Sequence, residues 1–283
     1  MKKIAILVLF ILLGNLQPAN AVDVLPEPFF KYLGSKYLAN PGVILIDGSN
    51  NQIVYQSGAD KPRTPASVLK VISTSSIALT LDTSTVFKTA IYKTEKKGVF
   101  VIWGDNDPWI TSNAKYRDAN KRAYMPTLIK AAFASNKSLK KITLIYKGVN
   151  NSDIYYAKKA LKRRSSVAYK PLSKSVEVES LITEKIAEIS SPPLHKMIRF
   201  ALLYSDNVLS QRLAMVATGR NGYPLTKTGF NQMAKDKLNA IGVDTAGMKL
   251  VDGSGIGGEN RVSAITVSQL LLKLKTEPKL KVI

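Results

Sequence analysis

The sequence predicts a mixed α/β protein. Short runs rich in β-branched and aromatic residues alternate with longer runs whose apolar residues fall at helical spacing. With 283 residues, 45% of them hydrophobic, the chain can bury a sizeable core in one large or two modest domains. No internal repeat or low-complexity linker divides it.

At the N-terminus, Lys2 and Lys3 precede an apolar run from Ile4 to Leu13, and Ala19-Asn20-Ala21 fits a small-residue cleavage site. Residues 1–21 therefore read as a secretory signal peptide. The run is too short for a transmembrane helix and no later stretch approaches a membrane span, so the expectation is a soluble protein outside the cytoplasm. Val43–Asp47 and Gln52–Tyr55 are β-rich and flank the turn residues Gly48-Ser49-Asn50-Asn51, which predicts a hairpin. Pro62 and Pro65 then lead into a run without Gly or Pro, whose apolar positions predict a buried helix ending near Leu81. Val86–Tyr92 and Gly98–Trp103 read as two strands, Tyr124–Ala134 as a helix and Lys141–Tyr146 as a strand, while Asn150–Val178 gives mixed signals. Val178–Ile189 reads as a helix stopped by Pro192-Pro193, and a second helix starts near Leu194. A turn at Asn221–Pro224, a helix over Phe230–Ala240 and a short strand Met248–Val251 follow, and a last helix runs from about Thr266 to Lys275.

Composition excludes several chemistries. The chain has no cysteine and a single histidine, His195, so disulfides, thiol catalysis, Cys-based zinc and multi-His metal sites are all ruled out. His195 opens a helix and reads as a surface or capping residue. The formal net charge of +21, or +19 without Lys2 and Lys3, favours polyanions. It is concentrated between Lys137 and Lys174, which hold eleven Lys/Arg against one acid, Asp153. No nucleic-acid motif accompanies the charge, so an exported chain points to anionic wall polymers or membrane surfaces. Gly104–Pro108 resembles the opening of a calcium loop, but Ile110 stands where Gly is required and the twelfth-position Glu is absent. Gly253–Gly258 fits G-x-G-x-x-G, yet too little chain follows for a nucleotide-binding βαβ unit.

Two short motifs carry chemistry. Ser67 sits in the opening turn of the predicted helix, where free N–H groups favour developing negative charge, and Lys70 projects from the same face three residues on. A lysine whose pKa is lowered by burial can take the serine's proton and make it a nucleophile. Ser205-Asp206-Asn207 interrupts an apolar helical run, and three polar residues there must find partners or line a cavity.

Ser-x-x-Lys with Ser-Asp-Asn occurs in penicillin-binding proteins and β-lactamases. The chain resembles, more closely, the exported D-alanyl-D-alanine carboxypeptidase/endopeptidase family of the DacB type, the class C penicillin-binding proteins. The resemblance rests on the Val43–Tyr55 hairpin, Pro65–Lys70, Gly104-x-x-Asp107-Pro108, Ser205-Asp206-Asn207, Asp252-Gly253-Ser254-Gly255-Ile256 and Asn260–Ser263, in that order from Val43 to the C-terminus. Gly257 and Asn106 depart from the family pattern. The resemblance implies a penicillin-binding protein/β-lactamase-like core, an antiparallel sheet flanked by helices, with an inserted smaller domain. Residues 22–85 and 189–283 would form the catalytic domain, and residues 86–188 a reduced accessory domain.

It further implies a bacterial periplasmic, wall or extracellular enzyme that cleaves D-Ala-D-Ala peptides of peptidoglycan, is inhibited by β-lactams and needs no cofactor. Ser67 would be the nucleophile, Lys70 the base and Ser205 a proton relay; Asn207, Asp252 and Ser254 would bind substrate. Lys227-Thr228-Gly229 spells the family's third element but precedes Asp252, whereas the family places it after that segment. The chain therefore reads as C-terminally truncated, stopping without a closing element after Lys275, poorly stable and nearly inactive as it stands. The alternative is a catalytically inactive wall- or polyanion-binding relative.

Overall fold

The computed structural model describes residues 25–161, 166–173 and 175–283. The predicted signal peptide lies outside them, as do Lys162, Arg163, Arg164 and Lys174 of the basic stretch. The chain enters through α1 (Glu27–Leu33), whose Phe29 and Phe30 rings stand edge-on to Tyr55. The predicted hairpin is present: β1 (Val43–Ile46) pairs antiparallel with β2 (Ile53–Ser57), Val43 opposite Ser57. Its turn is closed by Asp47, which accepts from the Ser49 amide and hydroxyl, and by Asn51 at φ 61°.

A 3₁₀ turn, Ala66–Val68, leads into α2 (Leu69–Thr80). Every residue of α2 from Leu69 to Leu79 except Val71 is buried, which explains why its apolar spacing is only loosely helical. The buried hydroxyls of Ser76 and Thr74 bond back to the helix carbonyls of Ile72 and Lys70. Around α2 pack α6 (Leu194–Leu203), α7 (Asn207–Arg220), α8 (Lys227–Asn239) and the 3₁₀ turn Pro278–Leu280, while α9 (Ala264–Thr276) lies against β1. Leu69, Ile72, Met197, Leu213, Phe230 and Leu270 are among the residues of this first core.

A second core lies on a five-stranded sheet built from β3 (Lys88–Lys93), β4 (Val99–Gly104), β5 (Ile142–Lys147), β6 (Val167–Pro171) and β7 (Lys185–Ser190), in the order β6-β5-β4-β3-β7. The sheet is mixed: β3 pairs antiparallel with β4 and β7, whereas β4–β5 and β5–β6 are parallel. Between β4 and β5 the chain makes α3 (Ala114–Asn120) and α4 (Met125–Ala134), and between β5 and β6 it makes α5 (Asn151–Ala160). Ile91, Phe100, Ile102, Leu128, Ile129 and Leu144 belong to this core, and Ala123 packs against both. The antiparallel pattern expected of the first core is represented among the described residues by the β1–β2 hairpin.

Two local expectations are corrected. The helix expected over Val178–Ile189 is a turn at Val178–Leu181 followed by strand β7. Lys, Ala and Glu favour a helix there, but the open edge of β3 offers a ladder, and tertiary pairing overrides propensity. The strand expected at Met248–Val251 is one antiparallel bridge, Lys249 to Arg261. The next two amides donate to side chains instead, Leu250 to Asn231 and Val251 to Asn260. After Lys275 the described residues add a 3₁₀ turn, Pro278–Leu280, with Leu280 1% exposed against α2.

Candidate active site

The 3₁₀ turn exposes Ser67, while the α2 register sends Lys70 inward, where it is 2% exposed. The Lys70 Nζ stands 3.0 Å from the Ser67 Oγ and donates to the Ser254 carbonyl oxygen at 2.7 Å. Burial pulls the Lys70 pKa below its ordinary value, and the negative charges of Asp252 and Asp206 act against that pull. From the opposite side the Ser205 hydroxyl donates to the Ser67 Oγ at 3.0 Å. Ser205 holds a left-handed backbone, φ 49°, in the turn between α6 and α7. Asp206 caps α7 by accepting from the Leu209 amide, and Asn207 is the first residue of that helix.

The Asp252–Ile256 loop is built around one carboxylate. Asp252 Oδ1 accepts from the Ser254 amide and hydroxyl and from the Gly255 amide, and Oδ2 accepts from the Gly257 amide and Asn260 Nδ2. Burial works to raise the Asp252 pKa, but these bonds outweigh it and hold the carboxyl well below the usual range. The loop is seated on α2 by the Ser73 hydroxyl, which donates to the Gly253 carbonyl at 2.8 Å, and on α7 by Gln211, which accepts from the Gly253 amide. Gly255, at φ +87°, has to be glycine, because a β-carbon there would lie 1.8 Å from the Ala66 carbonyl oxygen. Thus Ser67, Lys70 and Ser205 converge directly. Asp252 and Ser254 reach the group through the loop, with the Ser254 carbonyl as the atom presented to Lys70.

Asn207, Asp252, Ser254 and Lys227 line a neighbouring cleft of ≈ 1020 Å³, largely apolar through Met215, Val216, Leu225 and Ile256; Ser67 does not line it. Lys227-Thr228-Gly229 opens α8, with Thr226 as its cap, and is not on a strand. His195 is half-buried, its Nδ1 3.1 Å from the Thr83 carbonyl oxygen.

Sequence reasoning missed four residues around this site. Arg122 contacts Asp206, and its guanidinium lies over the Trp109 ring at 4.8 Å. Arg212 of α7 pairs with Asp153 at 3.0 Å and donates to the Ile110 carbonyl at 2.7 Å. Gln211 holds Gly253 as described. Trp109, 6% exposed, follows the Asp107-Pro108 motif and joins the α2 core.

Residues 149–283 match the model of the D-Ala-D-Ala carboxypeptidase 3 (S13) family. The chain is 27% identical over 282 residues to the carboxypeptidase DacB of Mycolicibacterium smegmatis, a match covering 83% of this chain and 61% of that protein. It spans about three fifths of the length of the curated relatives it matches. Penicillin binding protein 4 (dacB) from Haemophilus influenzae shares the fold with a TM-score of 0.64 at 16% identity, over 85% of this chain and 76% of that one. A predatory endopeptidase from Bdellovibrio bacteriovorus, solved with an immunity protein, gives 0.52 at 16% identity, over 83% and 69%. The chain is thus similar in sequence, over residues 149–283, to the D-Ala-D-Ala carboxypeptidase 3 (S13) family, and in fold to penicillin binding protein 4.

Proposed function

We propose that this chain is an exported serine-type D-Ala-D-Ala carboxypeptidase/endopeptidase that acts on peptidoglycan stem peptides through an acyl-enzyme on Ser67 and is acylated by penicillins. One observation carries the reading: the Ser67 Oγ lies 3.0 Å from both the buried Lys70 amine and the Ser205 hydroxyl. Lys70 in its neutral form takes the Ser67 proton as Oγ attacks the carbonyl carbon between the two D-alanines. The Ser254 carbonyl holds one Lys70 N–H and leaves the amine's lone pair for Ser67. The Ser67 N–H stabilises the oxyanion, a type of contact whose loss costs about 2.7–4 kcal/mol where measured. Collapse breaks the C–N bond, and Ser205 passes a proton from Lys70 to the departing D-alanine amine. Water then attacks the ester with Lys70 again as base, which frees the acid and restores Ser67. Asn207 binds the peptide's amide backbone, and the Asp252–Ser254 loop walls the cleft beside it. No cofactor takes part.

The H. influenzae protein has also been solved with a β-lactam, which supports penicillin binding here. Residues 22–85 and 189–283 are the catalytic part in this reading, with residues 86–188 as an accessory insert, and the separation of the two hydrophobic cores supports that division. On the insert, Lys137, Lys140, Lys141, Lys158 and Lys159 are exposed and give it a face for anionic wall polymers. Such binding has to weaken with salt, since charges reach only about 8 Å at physiological ionic strength. Retention on isolated walls that is equal at low and high salt would exclude it.

A wall-binding relative without turnover is the second reading. The placement of Lys227-Thr228-Gly229 at a helix start supports it. Fluorescent penicillin decides between the two. The enzyme reading expects covalent labelling of the folded chain and none of Ser67→Ala; a folded wild-type chain that takes no label favours the binder.

A further inference from the structure

We propose that Arg122, supplied by the segment between β3 and β7, is a positioning residue for the acyl-transfer site: it holds Asp206, and through it the Ser205-Asp206-Asn207 turn, against Ser67. The proposal deepens the acyl-transfer reading given above and rests on it.

The Arg122 side chain is 3% exposed and that of Asp206 18%. Burying a guanidinium is costly unless it is paired, so its place between the two cores calls for a partner of opposite charge. Asp206 is that partner, 84 residues away. The guanidinium is caged by the rings of Trp109 at 4.8 Å, Phe200 at 5.6 Å and Tyr116 at 5.9 Å, which fix its direction. Its Nε finds no hydrogen-bond partner among the described residues, so the contact with Asp206 is what orients it.

The carboxylate divides its two oxygens. Oδ1 accepts from the Leu209 amide at 2.8 Å and starts α7; Oδ2 takes Arg122. Just before it, Ser205 sits at φ 49°, a conformation a serine keeps only when its surroundings impose it. A second tie acts one turn further along α7. There Arg212 binds Asp153, the Ser152 hydroxyl at 3.1 Å and the Ile110 carbonyl, all from the same segment as Arg122. The start of α7 is therefore gripped from the sheet-bearing segment at two points, and Ser205 is set by that grip.

Charge adds a signature that simple packing lacks. The carboxylates facing Lys70 are Asp206 and Asp252. The groups facing Arg122 are Asp206, Arg212 and Tyr116, with Asp153 beyond Arg212. Without the Arg122 cation, Asp206 is left unneutralised and favours protonated Lys70. Acylation then needs a higher pH to begin. Removing the Asp206 charge acts in the opposite sense.

The full chain is made as wild type, Arg122→Ala, Arg122→Lys and Asp206→Asn. Amide hydrogen exchange and the pH dependence of acylation by fluorescent penicillin are measured for each. Arg122→Ala should speed exchange at residues 206–210 with α2 protection unchanged. It should slow acylation about 10- to 100-fold, the scale of a misplaced catalytic group, and move its midpoint to higher pH. Arg122→Lys should restore the midpoint and part of the rate; Asp206→Asn should loosen the same turn but move the midpoint down. Unchanged exchange at residues 206–210, or midpoints that stay at the wild-type pH in both Arg122→Ala and Asp206→Asn, overturns the proposal. If Arg122→Ala does not fold, the other two variants decide by the same criteria. Should wild type take no label, the acyl-transfer reading falls, while the exchange arm still decides whether Arg122 holds the turn.

Discussion

Ser205 and Ser67 are 138 residues apart in the chain, yet the Ser205 hydroxyl donates to the Ser67 Oγ at 3.0 Å. The contact joins the α6–α7 turn to the start of α2 and, in the proposed mechanism, sets Ser205 to relay the proton from Lys70 to the leaving amine. Ser205→Ala should therefore slow acylation by about 10²-fold or more, the usual worth of a positioned proton-transfer group, with the unfolding midpoint nearly unchanged. Stopped-flow or gel-based penicillin labelling checks it, and a wild-type rate in Ser205→Ala excludes the relay.

In the proposed mechanism Lys70 acts as the base only when neutral. Burial lowers its pKa below the ordinary lysine value of 10.5, so acylation should rise with pH through a value below that figure and then level off. Lys70→Arg keeps the positive charge at every accessible pH and should be as inactive as Lys70→Ala. An acylation rate that stays flat from about pH 6 up to the ordinary lysine value contradicts this assignment.

Gly255 tests the seat of the Asp252 loop. A β-carbon at 255 meets the Ala66 carbonyl oxygen, and Ala66, at φ 46°, directly precedes Ser67. Gly255→Ala should cost on the order of 1–3 kcal/mol and depress labelling, because the strain has to move either the loop or the Ser67 turn. Gly48→Ala meets nothing within 4 Å and serves as the control, expected near neutral. Equal melting temperatures for the two variants would contradict the packing argument.

How legible all this was in the sequence follows from distance along the chain. Ser67 and Lys70 are three residues apart and share a helix turn, so their meeting is a local consequence of helix geometry. The Asp252 loop is likewise local, with its acceptor and most of its donors within eight residues. Arg122 is different, being one of 41 basic residues with its partner 84 positions away, and nothing nearby marks it. Strand β7 was hidden for the same reason, since its ladder comes from β3, almost a hundred residues upstream. The hairpin and the helices from Leu194 onward carry their own turn and cap signals and could be read directly.

Asp252 should organise the loop as an anion. Its folded pKa lies below the unfolded value of 3.8, so its contribution is complete above that pH and is lost as pH falls through the folded value. Asp252→Ala strands the Gly257 amide and the Asn260 side-chain amide and should cost about 1–3 kcal/mol at neutral pH. Chemical denaturation at pH 7 measures this. A variant as stable as wild type would mean that the loop does not depend on its carboxylate.

Asp107 gives the opposite pH signature. It is fully buried, its Oδ1 accepts from the Trp109 amide at 2.8 Å, and its Oδ2 has no hydrogen-bond partner among the described residues. Burial pushes its pKa from 3.8 up to about 7, helped by Asp153 and Asp105, while the Trp109 amide and Arg212 pull the other way. Between those two values the folded protein keeps a proton that the unfolded chain releases, so stability falls as pH rises through this window and is level above it. Three pH units at about 1.4 kcal/mol each bound the effect at roughly 4 kcal/mol. Asn is a neutral replacement of the same shape, so Asp107→Asn should lose this slope and exceed wild type in stability at pH 8. Asp153 is also raised by burial and adds to the slope in both proteins, so the difference between them isolates Asp107. Urea unfolding of both at about pH 5 and pH 8 reads that difference directly. If it is the same at the two pH values, Asp107 does not hold its proton in the folded state.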